Sequence, residues 1–212
     1  MKAVKYMIKA FGLQAIESEV SQRYDFDEQR IVGIMLARYS ISVSKNIIDE
    51  CYHYWDVNSG KTLDVFWCGY GKYLYPTSED KKRIPLAPPI DDDGAYFDIA
   101  EFVAAKRTLN QRLKRRYNDH VHLILLNYRN GKLHYDEAFQ IDLEENIDEN
   151  NTKIRDLMEW IVDECETTHC VQELVKHLKV EQFFNTLRGI KVSELIEHAL
   201  SAASTIQGFK AP

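Results

Sequence analysis

The side chains best suited to gripping an anion stand in two short runs, Arg38-Tyr39-Ser40-Ile41-Ser42 and Gly69-Tyr70-Gly71-Lys72. Each follows an apolar run, residues 30–37 in the first case and 62–68 in the second. Arg38 and Lys72 offer positive charge. A helix opening at Ser42 or Ser44 would add the N–H groups of its first turn, where the helix dipole favours anions. Gly69 and Gly71 would let a ligand approach the backbone. The chemistry would be recognition of a nucleotide or another phosphorylated small molecule, with Arg38, Tyr39, Ser40, Ser42, Tyr70 and Lys72 as contacts and a carboxylate such as Glu50 as base. The spacing is not that of a phosphate-binding loop, which needs an earlier glycine and a Ser or Thr after the lysine. The plainer reading is a capped helix and two glycines that turn the chain.

Other reactive residues form weaker patterns. His120 and His122 are two apart and would share one face of a strand. Pairing outward from a turn at Asn130-Gly131 sets Asn127 opposite His134 and His122 opposite Phe139, so His134 lies far from the other two. No carboxylate or cysteine falls within their reach on that count, and no metal site is expected. Cys165 and His169 are four apart, without a further ligand pair. Asp91-Asp92-Asp93, with Asp98 nearby, lack the alternating acids and distal Glu of a calcium loop and read as a solvated loop. Arg112, Lys114, Arg115 and Arg116 are the one concentrated basic patch. A helix C-terminus accounts for them through its dipole, and a nucleic-acid contact is the sharper alternative. Gly-x-Ser-x-Gly is absent, so no nucleophile elbow is present.

Bulk composition narrows the class. The 212 residues are 45% hydrophobic and 28% charged, with 9 Gly and 5 Pro, as in an ordinary folded protein. A net charge of −6 does not by itself draw the chain to nucleic acid or anionic membrane. The four cysteines form no Cys-x-x-Cys pair, which suits a reducing compartment and a cytoplasmic protein. Lysines at positions 2, 5 and 9 break the N-terminal apolar run, against a signal peptide, and no run is long enough to cross a membrane. Nothing calls for a cofactor.

The elements that must position these residues follow from periodicity. Apolar residues at Val4, Ile8, Phe11, Ala15 and Ile16 predict an N-terminal helix over residues 3–24. Residues 30–37 predict a strand buried on both faces, residues 43–55 a helix, and 62–68 a second strand. Residues 69–95, holding four of the five prolines, predict a long irregular segment. Asp98 is placed to cap a helix, and Asn130-Gly131 predicts a type I′ hairpin turn, since both residues accept positive φ. Helices are expected from residue 152 onward, including 192–204.

The resulting order is strand, helix, strand, helix, hairpin and helix. It resembles the thioredoxin fold in element order alone, because the redox cysteines have no counterpart in Arg38-Tyr39-Ser40-Ile41-Ser42. The expectation is an α/β domain over residues 1–148, formed by a mixed sheet and the N-terminal helix, with a helical extension over 149–212. The leading functional expectation is a non-redox cytoplasmic binding or scaffold subunit that works through a protein partner or as a homo-oligomer. The apolar helices after residue 151 are its motive. The phosphorylated small-molecule site is the alternative.

Overall fold

The computed structural model describes residues 12–49, 62–72, 83–85, 95–144 and 152–185. Glycine, proline and apolar periodicity set most element boundaries. Helix α1, Leu13–Arg23, buries Leu13, Ile16 and Val20, a three-and-four spacing that makes one apolar stripe. Strand β1, Arg30–Leu36, is buried along nearly its whole length. Helix α2 covers residues 42–49, and strand β2, Asp64–Trp67, runs parallel to β1. At Gly33 the two backbones come close: a Cβ there would sit 3.0 Å from a Val65 methyl.

The segment expected to be irregular contains three short strands instead. Strands β3, Tyr70–Lys72, β4, Arg83–Pro85, and β5, Ala95–Asp98, form an antiparallel sheet in the order β3-β5-β4. Strands this short show no periodicity to read. Pro85 is tolerated because β4 is an edge strand, where its missing N–H costs no ladder bond. The switch from β2 into β3 depends on Gly69. Its φ is +81°, and a Cβ would fall 2.7 Å from Phe102 Cβ and 2.9 Å from the Asp98 carbonyl oxygen.

Helix α3, Ile99–Arg112, starts where expected. The Asp98 carboxylate accepts the N–H groups of Ala100 and Glu101. Strands β6, His122–Arg129, and β7, Lys132–Asp142, form the hairpin, with Asn130 at φ 50° and Gly131 at φ 72°. They extend the larger sheet, whose order is β2-β1-β6-β7, with β1 antiparallel to β6 and β6 to β7. Helices α4, Thr152–Thr167, and α5, Val171–Asn185, follow. Their apolar side chains, among them Ile154, Ile161 and Leu174, join the same core as the sheet. Each fully buried side chain of that size contributes about 1.5–3 kcal/mol. Residues 192–204 and the first part of the predicted N-terminal helix lie outside the described residues.

The hairpin departs from simple pair counting. Asn127 faces His134 as expected, but two residues back Leu125 faces Phe139, so β7 carries extra residues at 135–138. His122 therefore lies opposite Asp142, not Phe139. The same irregularity breaks the outer edge of β7, as edge strands need if they are not to pair with other chains. It also brings Leu36, His122 and Asp142 into one row across β1, β6 and β7, at the carboxyl end of β1.

Candidate functional site

Most residues expected to line a pocket are consumed by packing. Tyr70 is buried, donates its hydroxyl to the Ala37 carbonyl at 2.7 Å, and packs against Trp67 and Phe97. Burial pushes its ionisation well above the ordinary phenol range. Tyr39 is buried beneath the Lys45 ammonium and donates to Asp49 at 3.3 Å. Gly69 and Gly71 are buried, Gly69 against Phe102 and the Asp98 carbonyl. Helix α2 opens at Ile41, whose carbonyl accepts the Lys45 N–H, so neither Ser42 nor Ser44 holds the cap position. Ser42 is exposed and Ser44 fully buried. The side chain of Lys72, together with Glu50, Cys51 and Asp91-Asp92-Asp93, lies outside the described residues.

Arg38 and Ser40 remain at the surface, and the guanidinium Nε donates to the Ser40 hydroxyl at 3.0 Å. Arg38 Nη1 also reaches Asp119 Oδ2 at 3.3 Å, while Lys106 Nζ donates to Asp119 Oδ1 at 2.7 Å. Two cations, one from the end of β1 and one from α3, thus converge on one half-exposed carboxylate. The hydrogen bond from Lys106 holds the Asp119 pKa below the usual carboxylate value.

Beside this trio stand the two histidines. His120 Nδ1 lies 2.8 Å from Asp142 Oδ2, and Asp142 Oδ1 accepts the Glu144 N–H at 3.0 Å. The Asp142 side chain is only 10% exposed against 46% for His120. Glu144 accepts the Val121 N–H at 3.0 Å and approaches His120 Nε2 at 3.9 Å, and burial raises its pKa. His122 has a different character. It is 3% exposed, its Nε2 donates to Asn118 Oδ1 at 2.6 Å, and its Nδ1 accepts from Gln140 Nε2 at 3.0 Å. Those partners specify a neutral ring, and burial holds its pKa down to about 4. His120 stacks on it, with ring centroids 6.1 Å apart.

No family model matches the chain, and no curated protein or solved structure matches it.

The basic patch divides. Arg112 pairs with Glu17 of α1 and lies 4.7 Å over the Tyr135 ring, whose hydroxyl donates to Glu17, so it ties α3 to α1 and β7. Lys114 takes a left-handed φ of 51° as the chain leaves α3. Lys114 and Arg116 are exposed and Arg115 half-buried. His134 sits near the turn, its Nε2 3.3 Å from the Arg129 carbonyl, far along the hairpin from His122. Cys165 is buried in α4 while His169 is exposed beyond its end. Burial pushes the Cys68 and Cys165 thiols up to about 12, so both stay protonated in neutral water. Among the described residues no three His, Cys, Asp or Glu side chains form a metal-binding group. None of the described helices is long and apolar enough to cross a membrane.

Sequence reasoning missed Lys106, Asp119, His120, Asp142 and Glu144 as one group. The extra residues in β7 are what carry Asp142 and Glu144 to the others, and a local signal is Glu137. It stands in a slot of the alternating series Leu133, Tyr135, Phe139 and Ile141 where an apolar residue belongs.

Proposed function

We propose that the chain is a non-redox, cytoplasmic α/β module of thioredoxin-like strand order that binds a phosphorylated small molecule at the carboxyl end of β1. The observation that carries this reading is the convergence of Arg38 and Lys106 on Asp119. A carboxylate held by two cations marks where an external anion would lie, and Asp119 is exposed enough to swing aside. Ligands of open α/β sheets sit beyond the carboxyl ends of their parallel strands, and Arg38 follows β1 at that end. The ligand's phosphate would accept charge-assisted hydrogen bonds from Arg38 and Lys106, with the Ser40 hydroxyl at its rim.

A thermal-shift panel of inorganic phosphate, nucleoside mono-, di- and triphosphates and sugar phosphates tests this. A ligand at about 100-fold over Kd stabilises by about 2.7 kcal/mol, a rise of roughly 5–10 °C in a chain of this size. The rise is expected to vanish in Arg38→Ala and Lys106→Ala. A flat panel for the wild-type protein removes the reading.

Association with a protein partner is the second reading. The described apolar stripes of α4 and α5 are buried within the chain, so its support moves to Phe26, 71% exposed across the hairpin turn at Gly131.

A further inference from the structure

We propose that the strand-end site hydrolyses the phosphate ester it binds, with His120 as general base and Asp142 as the residue that positions it. The proposal rests on the anion site argued above. Asp119, which marks the anion position, and His120 are consecutive, and the charge of Lys106, the Asp119 partner, acts on the His122 ring on which His120 stacks, so the anion position and the imidazole share one end of the sheet. The Asp142 carboxylate is fixed by the Glu144 N–H and sets the His120 tautomer by accepting from Nδ1. Proton exchange then falls to Nε2, which has Glu144 Oε2 at 3.9 Å and belongs to a ring that is 46% exposed. His122 cannot serve instead, since both of its ring nitrogens are engaged in a buried, neutral hydrogen-bond set. It acts as the platform on which His120 stacks. The irregularity in β7 is what delivers Asp142 to this place, and β-bulges are common beside active sites, where they re-aim a side chain.

The step balances without a redox partner. The oxygen of a solvent water forms the new bond to phosphorus and gives one proton to His120 Nε2. The bond from phosphorus to the ester oxygen breaks, with its electron pair left on that oxygen. The proton on His120 then passes to the departing alcohol or to solvent, and the products are the alcohol and inorganic phosphate. Arg38 and Lys106 offset charge on the phosphoryl oxygens.

The test uses the full chain with p-nitrophenyl phosphate in EDTA, following p-nitrophenolate release and, separately, binding by calorimetry. Wild type is expected to turn over in the presence of the chelator. His120→Gln should bind within about twofold of wild type yet lose roughly 10²–10⁴-fold in kcat. Asp142→Asn should also lose kcat and displace the acid limb of the kcat/KM profile, a readout that loss of stability alone does not move. Binding without turnover overturns the hydrolytic proposal and leaves the binding site standing, and so does full activity in His120→Gln. Turnover that appears only with an added divalent metal also overturns it, by making His120 a ligand. If neither p-nitrophenyl phosphate nor any member of the phosphate panel binds, the underlying reading falls and the proposal with it.

Discussion

Asn127→Ala is expected to lower the unfolding free energy by about 3 kcal/mol, among the largest effects available to a single polar residue here. Asn127 is 2% exposed in the middle of the hairpin. Its Oδ1 accepts the Val171 N–H at 2.7 Å, capping α5 from a neighbouring strand. Its Nδ2 donates to Glu137 Oε2 at 2.6 Å and to Gln172 Oε1 at 3.0 Å. Alanine would strand a first-turn N–H and two acceptors at once. Loss of a cap costs ~1 kcal/mol, and each buried group left without a partner adds about 1–3 kcal/mol. Urea unfolding checks this: the midpoint should fall with an unchanged slope, and the melting temperature should drop by roughly 6–12 °C. A change below about 1 kcal/mol would mean that α5 docks without this cap.

Acidification is expected to remove ~2 kcal/mol of stability between pH 7.5 and pH 5 through His122. In the unfolded chain this imidazole takes a proton near its ordinary pKa of 6.5, whereas burial in the fold holds it to about 4. Between those values the unfolded state binds more protons, so stability is complete above pH 6.5 and falls as pH falls. Below about 4 both states are protonated and the loss stops growing. Asp119 and Glu137, whose pKa values are lowered in the fold, also lose stability on acidification, but only as pH drops through the carboxylate range. Glu144, raised by burial, acts in the opposite sense. Asp142, His120 and Lys106 supply the charges that act on the His122 ring. Urea midpoints measured at pH 7.5 and pH 5 check the window, and His122→Gln should flatten it. An equally steep fall in that variant would place the titration elsewhere.

The local parts of this fold were legible because one or two residues determine them. Asn130-Gly131 reads as a type I′ turn since few other pairs accept two positive φ values, and Asp98 reads as a cap because its carboxylate satisfies first-turn N–H groups. The continuous apolar run of β1 and its parallel pairing with β2 follow from burial on both faces. The β3-β5-β4 sheet was illegible, since three- and four-residue strands carry no period. The site was illegible for a related reason. Pair counting assumes a regular ladder, and four residues of β7, 135–138, stand against the single residue 126. That shift moves every later residue of β7, placing Asp142 where Phe139 was expected. Tyr39 and Tyr70, which read as ligand contacts, turned inward because their rings find more stabilisation in the core than at a polar edge.

The most direct test of the strand-end anion site is Asp119→Ala, with inorganic phosphate titrated into the protein and followed at the His120 amide by NMR. Removing the internal carboxylate releases Arg38 and Lys106 to an external anion, so phosphate is expected to bind roughly tenfold more tightly than to wild type, a gain of about 1.4 kcal/mol. Unchanged or weaker binding, or no response at His120 in either protein, would contradict the account.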